Sequence, residues 1–315
     1  MKNKYAIITT ASSDYFMGLN AILNGIDYYE HKDIDFYVST QEFIFPYLEF
    51  CRSKFSFPIN GFSCRELCEK DGYVTEDYNW VKYRLIQMIG KDYDAILFLD
   101  ADCMITANIN LWLDMAKESG LLLIPQSPQT GAVFSDVHHY SNPDELDLFL
   151  VNNPIKNFVF FMDAKKHMDI IDYCWNERNN PRLIKNSTLE TYFFTRGVYD
   201  LNKENQMTIL DSDVWIADNY MAHSIVSLEH NGKYRLVSPA GKELKIVHGR
   251  YWNKSMSKST LEREVLGGPS KYYDNMLANI TNHTKLMDFL NYDCKVSLNE
   301  VEKINEGMYA RFVHM

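Results

Sequence analysis

Asp94-Ala-Ile-Leu-Phe-Leu-Asp-Ala-Asp-Cys103 decides the fold. Its apolar run from Ala95 to Leu99 has no polar interruption, the pattern of a strand buried on both faces in a parallel sheet. The run stops at two carboxylates, Asp100 and Asp102. Like charges two residues apart repel, and at the end of a buried strand they are costly unless a cation or hydrogen bonds compensate. Ligands of open α/β sheets bind at the carboxyl ends of strands. The pair therefore stands where a ligand is expected, and a divalent ion is the simplest compensation. Taken alone, a D-x-D is short and common, and an acidic turn capping the next helix would explain it. The buried strand before it favours a metal.

Outward from this stretch, apolar runs alternate with helical periodicity. Upstream, Tyr5-Ala-Ile-Ile-Thr-Thr10 reads as a first strand, and Tyr15 to Tyr29 as a helix with Phe16, Leu19, Leu23 and Ile26 at helical spacing. Ile34 to Val38 predicts a second strand and Glu42 to Cys51 a second helix. Residues 55–76 read as irregular, and Asn79 to Ile89 as a helix closed by Gly90. Downstream, Leu111 to Ser119 and Lys165 to Glu177 read as helices, with strands at Leu121 to Ile124, Asn157 to Met162 and Leu244 to Val247. Alternation of this kind predicts an α/β fold with a mainly parallel sheet flanked by helices. Residues 125–156 form a long polar stretch with Pro125, Pro128, Pro143 and Pro154, and a connection of that length is usually functional. Residues 256–315 read as a helical C-terminal extension, broken at Gly267-Gly-Pro269, behind a domain over 1–255.

The chain of 315 residues has 32 Lys and Arg against 42 Asp and Glu, a net charge of -10. That argues against general nucleic-acid binding, which rests on neutralising phosphates with cations. The excess is concentrated: residues 61–155 hold 15 carboxylates and 6 cationic side chains, whereas residues 241–255 hold 4 cations and 1 carboxylate. No apolar run approaches the roughly 18 residues of a membrane helix. The N-terminal run, Tyr5 to Ala11, is short for a signal peptide. Six dispersed cysteines without a C-x-x-C pair are expected to be reduced thiols of a cytoplasmic protein.

His248 is a candidate third ligand. It follows Leu244-Lys-Ile-Val247 and precedes Gly249-Arg-Tyr-Trp252, inside the cationic stretch. A lone histidine after a strand also serves as a core or surface residue. Two carboxylates with an imidazole suit Mn2+ better than Mg2+, which prefers oxygen and retained water.

In these elements the sequence resembles the glycogenin-like retaining nucleotide-sugar glycosyltransferases of family 8, on the Rossmann-like GT-A fold. Members begin with an apolar strand, a T-T-like turn, a tyrosine and a glycine three residues later, here Thr9, Thr10, Tyr15 and Gly18. A basic residue on the helix before the D-x-D strand corresponds to Lys82 or Arg84. The D-A-D segment itself spans Tyr93 to Asp102, and Asn108-Ile-Asn110 matches the family's N-I-D imperfectly. Ile246 to Trp252 corresponds to the late apolar-V-H segment. The likeness runs in order over residues 5–255 and is close over 79–125. The family's N-S-G and D-Q-G segments are not present; Asn157 and Glu190 are the nearest candidates in those regions.

The resemblance implies a nucleoside diphosphate sugar donor, with UDP expected, and a carbohydrate or other hydroxyl acceptor. It implies transfer with retention. Asp100, Asp102 and His248 would hold the metal on the diphosphate, with Ala101 in the donor site between the aspartates. Arg250, Lys254 and Lys82 or Arg84 would contact phosphate or sugar. Tyr15 would stack on the base, with Thr10 and Ala11 approaching it through backbone groups. Glu190 and Asp163 are candidates for contacting the sugar. Each has a structural alternative: Tyr15 as a core aromatic, Arg84 on a solvated face, the carboxylates as exposed groups. Two other functions remain open. One is a sugar nucleotidylyltransferase, although Ala11-Ser-Ser-Asp14 replaces the usual Gly-rich loop. The other is a non-catalytic carbohydrate- or nucleotide-binding protein on a degenerate fold.

Overall fold

Most apolar runs become strands and most amphipathic segments helices in the computed structural model of the chain. It describes residues 4–12, 15–69, 78–120, 122–125, 157–178, 189–210, 216–218, 226–230, 232–237, 241–248 and 285–304. In order these form β1 (Tyr5–Ala11), α1 (Phe16–Tyr28), β2 (Ile34–Thr40), α2 (Phe45–Lys54), β3 (Ile59–Ser63), α3 (Cys64–Glu69), α4 (Tyr78–Ile89), β4 (Ala95–Leu99), β5 (Cys103–Ile105) and α5 (Asn110–Ser119). Then follow β6 (Leu122–Pro125), β7 (Val159–Met162), α6 (Ala164–Glu177), α7 (Leu189–Asp200), β8 (Met207–Leu210), β9 (Ile216–Asp218), β10 (Val226–His230), β11 (Lys233–Val237), β12 (Ile246–His248) and α8 (Leu298–Ile304). A π-helical turn, Phe289–Asp293, precedes α8. Arg250, Trp252 and Lys254, the polar stretch 126–156 and the expected helices over 256–284 and 305–315 lie outside the described residues.

Two expectations are corrected. Residues 55–76 contain β3 and α3. The strand Ile-Asn-Gly-Phe-Ser buries only its first and last residues, so it carries no apolar run to betray it. The late strand begins at Ile246 instead of Leu244, whose N–H bonds the Leu236 carbonyl at 2.8 Å.

The chain divides into two compact units. The first comprises Met1–Ile8, Cys64–Leu99 and Leu111–Ser212. Its strands lie in the order β1-β4-β7-β6-β8. β1 is parallel to β4, with Tyr5 opposite Ala95 and Ile8 opposite Phe98, and β6 is parallel to β8. β7 is antiparallel to both of its neighbours, β4 and β6. Aromatics line both faces of the sheet: Phe160 stacks between Phe98 and Phe194 at 5.2 and 5.0 Å, and on the opposite face Trp112 meets Phe161 edge-on at 5.3 Å. Such rings carry large buried areas and dominate core energetics. α4 packs on α6, and α6 on α7.

The second unit comprises Thr9–Ser63, Asp100–Asn110 and Asp213–Met315, so β1 contributes to both. Here the order is β3-β2-β1, with β2 and β3 parallel. A separate three-stranded sheet has the order β5-β12-β9, and β10 and β11 form an antiparallel hairpin. Ala21, Met104, Leu236, Leu244, Val247, Leu286, Met287 and Leu290 form one apolar cluster, which draws α1, β5, β12 and the chain near 285–290 together. Among the described residues no helix is long and apolar enough to cross a membrane.

Candidate functional site

The D-A-D segment is a tight turn. The Cys103 N–H donates to the Asp100 carbonyl at 3.0 Å, so the chain leaves Leu99 and enters β5 within three residues. Ala101 and Asp102 are buried and Asp100 is partly exposed. β12 runs antiparallel to β5, with Ile246 opposite Ile105 and His248 opposite Cys103. That register sets the imidazole beside Asp102: His248 Nε2 lies 3.3 Å from Asp102 Oδ1. Sheet pairing thus joins two residues that are far apart in sequence.

Helix α1 seats the turn. A Cβ on Gly18 would come within 1.8 Å of the Ala101 carbonyl oxygen, and one on Gly25 within 3.0 Å of the Ile105 oxygen. Only glycine lets the helix lie this close at position 18. The far end of α1 is tied to the same segment. Asn108 Nδ2 donates to the Tyr29 carbonyl at 3.0 Å, and the Ile109 N–H donates to His31 Nε2 at 3.1 Å. The Asn108-Ile-Asn110 segment is thereby given a structural task, completed by the Asn110 N–H donating to Asn108 Oδ1 at 3.0 Å.

One carboxylate oxygen and one imidazole nitrogen, both largely buried and facing each other, are a donor pair that fits a borderline divalent cation. Asp100 does not join them: among the described residues no three His, Cys, Asp or Glu side chains converge as a ligand group. Thr10 and Ala11 are buried at the end of β1, where the Ala11 carbonyl accepts the Thr40 hydroxyl at 2.7 Å. Tyr15 stands at the N-cap of α1, its N–H bonded to the Ser12 carbonyl at 3.0 Å. Two buried hydroxyls beside them, Thr9 Oγ1 and Ser39 Oγ, have no hydrogen-bond partner among the described residues. Buried hydroxyls of this kind need an explanation, and a polar ligand or water supplies one.

The remaining described candidates belong to the first unit. Lys82 is buried, its ammonium 5.0 Å from the Phe98 ring centre and 5.6 Å from that of Tyr83, within cation–π range. Arg84 is partly exposed and reaches Gln87 Oε1 at 3.4 Å. Because β7 is antiparallel to β4, its polarity sorts two candidates. Leu99 pairs with Val159 and Ile96 with Met162. Asn157 therefore lies at the carboxyl end of β4, whereas Asp163 lies at its amino end. Asp163 caps α6 by accepting the Lys165 N–H at 2.9 Å. Tyr83 went unmarked in the sequence, yet it links two candidate regions. Its hydroxyl accepts from Asn157 Nδ2 at 2.9 Å and donates to the Glu190 carbonyl at 3.3 Å. Burial pushes that phenol well above its ordinary pKa, so it stays a donor.

No protein-family profile matches the chain. In sequence it is similar to the UDP-glucuronate:xylan alpha-glucuronosyltransferase 2 of Arabidopsis thaliana, 28% identical over 136 residues, which are 38% of this chain and 21% of that protein. The chain thus spans about a fifth of this curated relative. In structure it is similar to the WbbM bifunctional glycosyltransferase, with TM-score 0.55 at 12% identity over 90% of this chain and 50% of that one. Mouse xyloside xylosyltransferase 1 gives TM-score 0.52 at 12% identity over 80% of this chain and 99% of that one. The mainly parallel sheet, the D-A-D turn after its buried strand and these likenesses agree: the chain has the GT-A fold of glycosyltransferases.

Proposed function

We propose that the protein transfers a sugar from a nucleoside diphosphate sugar, UDP by expectation, to a glycan or other hydroxyl acceptor, with retention and with Mn2+ as cofactor. The carrying observation is the facing of Asp102 and His248 at 3.3 Å immediately after the D-A-D turn. Asp102 and His248 would hold the cation, with Asp100 approaching it on donor binding. When bound, the cation neutralises the departing diphosphate. Arg250 and Lys254 would add charge-assisted contacts to phosphate. Tyr15 would stack on the base, with Thr10, Ala11 and Ala101 lining the same end of the sheet. Glu190 is the carboxylate assigned to the sugar. The Arabidopsis relative's name specifies UDP-glucuronate and xylan, and the mouse protein's name xylose transfer. UDP-glucuronate and UDP-xylose therefore head the donor panel.

The test is donor hydrolysis and transfer across a panel of nucleotide sugars, with Mn2+ and with excess chelator. Asp102→Ala and His248→Ala are each expected to lower turnover by at least about a hundredfold while the fold is kept. Full activity in either variant, or in chelator, would sink the metal assignment. Pyrophosphate release from a sugar phosphate and a nucleoside triphosphate would instead mark a nucleotidylyltransferase. Tight, metal-independent nucleotide binding without turnover would mark a non-catalytic binder. NMR of the first-formed product anomer reads the stereochemistry.

A further inference from the structure

Two buried asparagines on α1 have no part in the donor chemistry described so far. Asn20 and Asn24 lie one helical turn apart, so they share a face. Asn20 Oδ1 accepts from the Tyr47 hydroxyl at 2.7 Å, and its Nδ2 donates to Asn291 Oδ1 at 2.9 Å and to the Val296 carbonyl at 3.2 Å. Asn24 grips one residue from both sides. Its Oδ1 accepts the Val296 N–H at 3.0 Å and its Nδ2 donates to the Val296 carbonyl at 2.9 Å, with a second donation to the Leu290 carbonyl at 2.7 Å. Asn291 is held in turn by donating to the Met287 carbonyl at 3.0 Å. At the rim, Lys295 pairs with Asp27 at 2.8 Å.

Apart from the Tyr47 contact, these bonds are all made to or within residues 287–296. A displaced segment would leave Asn24 without these bonds and Asn20 with only the Tyr47 hydroxyl, a costly state for buried amide groups. The segment and α1 are therefore set in place together. The neighbouring face of α1 carries Gly18, Ala21 and Gly25, and Gly18 abuts the Ala101 carbonyl with no side chain between. Close-packed interiors transmit small displacements. A shift of α1 along or about its axis therefore reaches the peptide between Asp100 and Asp102 directly.

We infer that residues 285–304 position the D-A-D turn through α1, and that Asn20 and Asn24 are positioning residues of the donor site. The inference rests on the proposed donor chemistry. It explains why a segment with no ligand-bearing motif is fastened by a polar network where apolar contacts would give burial alone.

The experiment measures UDP binding by calorimetry in the presence of Mn2+, with unliganded thermal melting alongside, for the wild type, Asn24→Ala and Lys295→Ala. Binding is measured well below each variant's own melting temperature. For Asn24→Ala the dissociation constant is expected to rise on the order of tenfold, because small misplacements of a binding group are expensive. A purely structural role would lower the melting temperature and leave that constant unchanged, which overturns the inference. If Asn24→Ala does not fold, Lys295→Ala decides. It loosens the same segment without a buried hole and is expected to weaken binding about twofold; unaltered binding there overturns the inference as well. A wild type that fails to bind UDP with Mn2+ overturns the donor chemistry instead, and the two failures are thereby distinguished.

Discussion

His31 holds the end of α1 in one protonation state. It bonds the Ile26 carbonyl through Nδ1 at 3.0 Å and accepts the Ile109 N–H at Nε2, so Nδ1 carries the proton. Burial, opposed by the bond to Ile26, lowers its pKa to about 4. The folded value lies below the unfolded one, about 6.5. As pH falls the unfolded chain therefore takes up the proton first, and stability present above pH 6.5 is lost on the way to pH 4. Urea unfolding is expected to show a loss on the order of 2 kcal/mol between pH 7 and pH 5. His31→Asn should remove most of that difference, and equal pH dependence in both proteins would contradict the assignment. Nothing in the sequence around His31 marks this task. The meeting of Asp102 with His248 could be anticipated because both follow strand ends, and their side chains do face each other at 3.3 Å. The pairing of Asn24 with Val296, 272 residues away, has no local signal.

At the scale of elements, the strands with continuous apolar runs were legible: β1, β2, β4, β6 and β7 fall within two residues of their expected places. β5 was not, because Cys-Met-Ile is short and follows directly on the D-A-D turn. The sense of β7 was not legible either. Direction in a sheet depends on the route of the connection, and apolar content is blind to it. That sense bears on Asp163, which it sets at the amino end of β4 as a helix cap. Asp163→Ala is expected to cost about 1 kcal/mol through loss of the cap. Asp163→Asn keeps a capping oxygen and should retain both stability and transfer activity. An asparagine variant with wild-type melting and no turnover would restore Asp163 to the sugar side.

At the scale of the molecule, all six cysteines are free thiols, five buried and Cys294 partly so. Burial pushes Cys51 and Cys294 up to about 12, and raises Cys174 as well. Thiolate is the reactive form, so native labelling should be slow. Titration with an aromatic disulfide at pH 8 is expected to modify at most about one thiol before unfolding, and all of them after it. Rapid release from several sites would mean that the second unit opens readily around Cys51. The same scale gives the net charge of -10 its meaning. On the proposed donor chemistry, a diphosphate brought to Asp100 and Asp102 would meet like charge unless a cation stood between.

The meeting of Gly18 with Ala101 has a consequence for how such sequences drift. Each side of that contact is backbone, with a missing side chain on the helix and a carbonyl on the turn. A substitution at 101 changes neither partner, and no substitution at 101 makes room for a larger residue at 18. Variation among descendants of this chain should leave position 18 fixed without any compensating partner. A search for correlated changes would therefore pass over the contact on which the geometry of the turn depends.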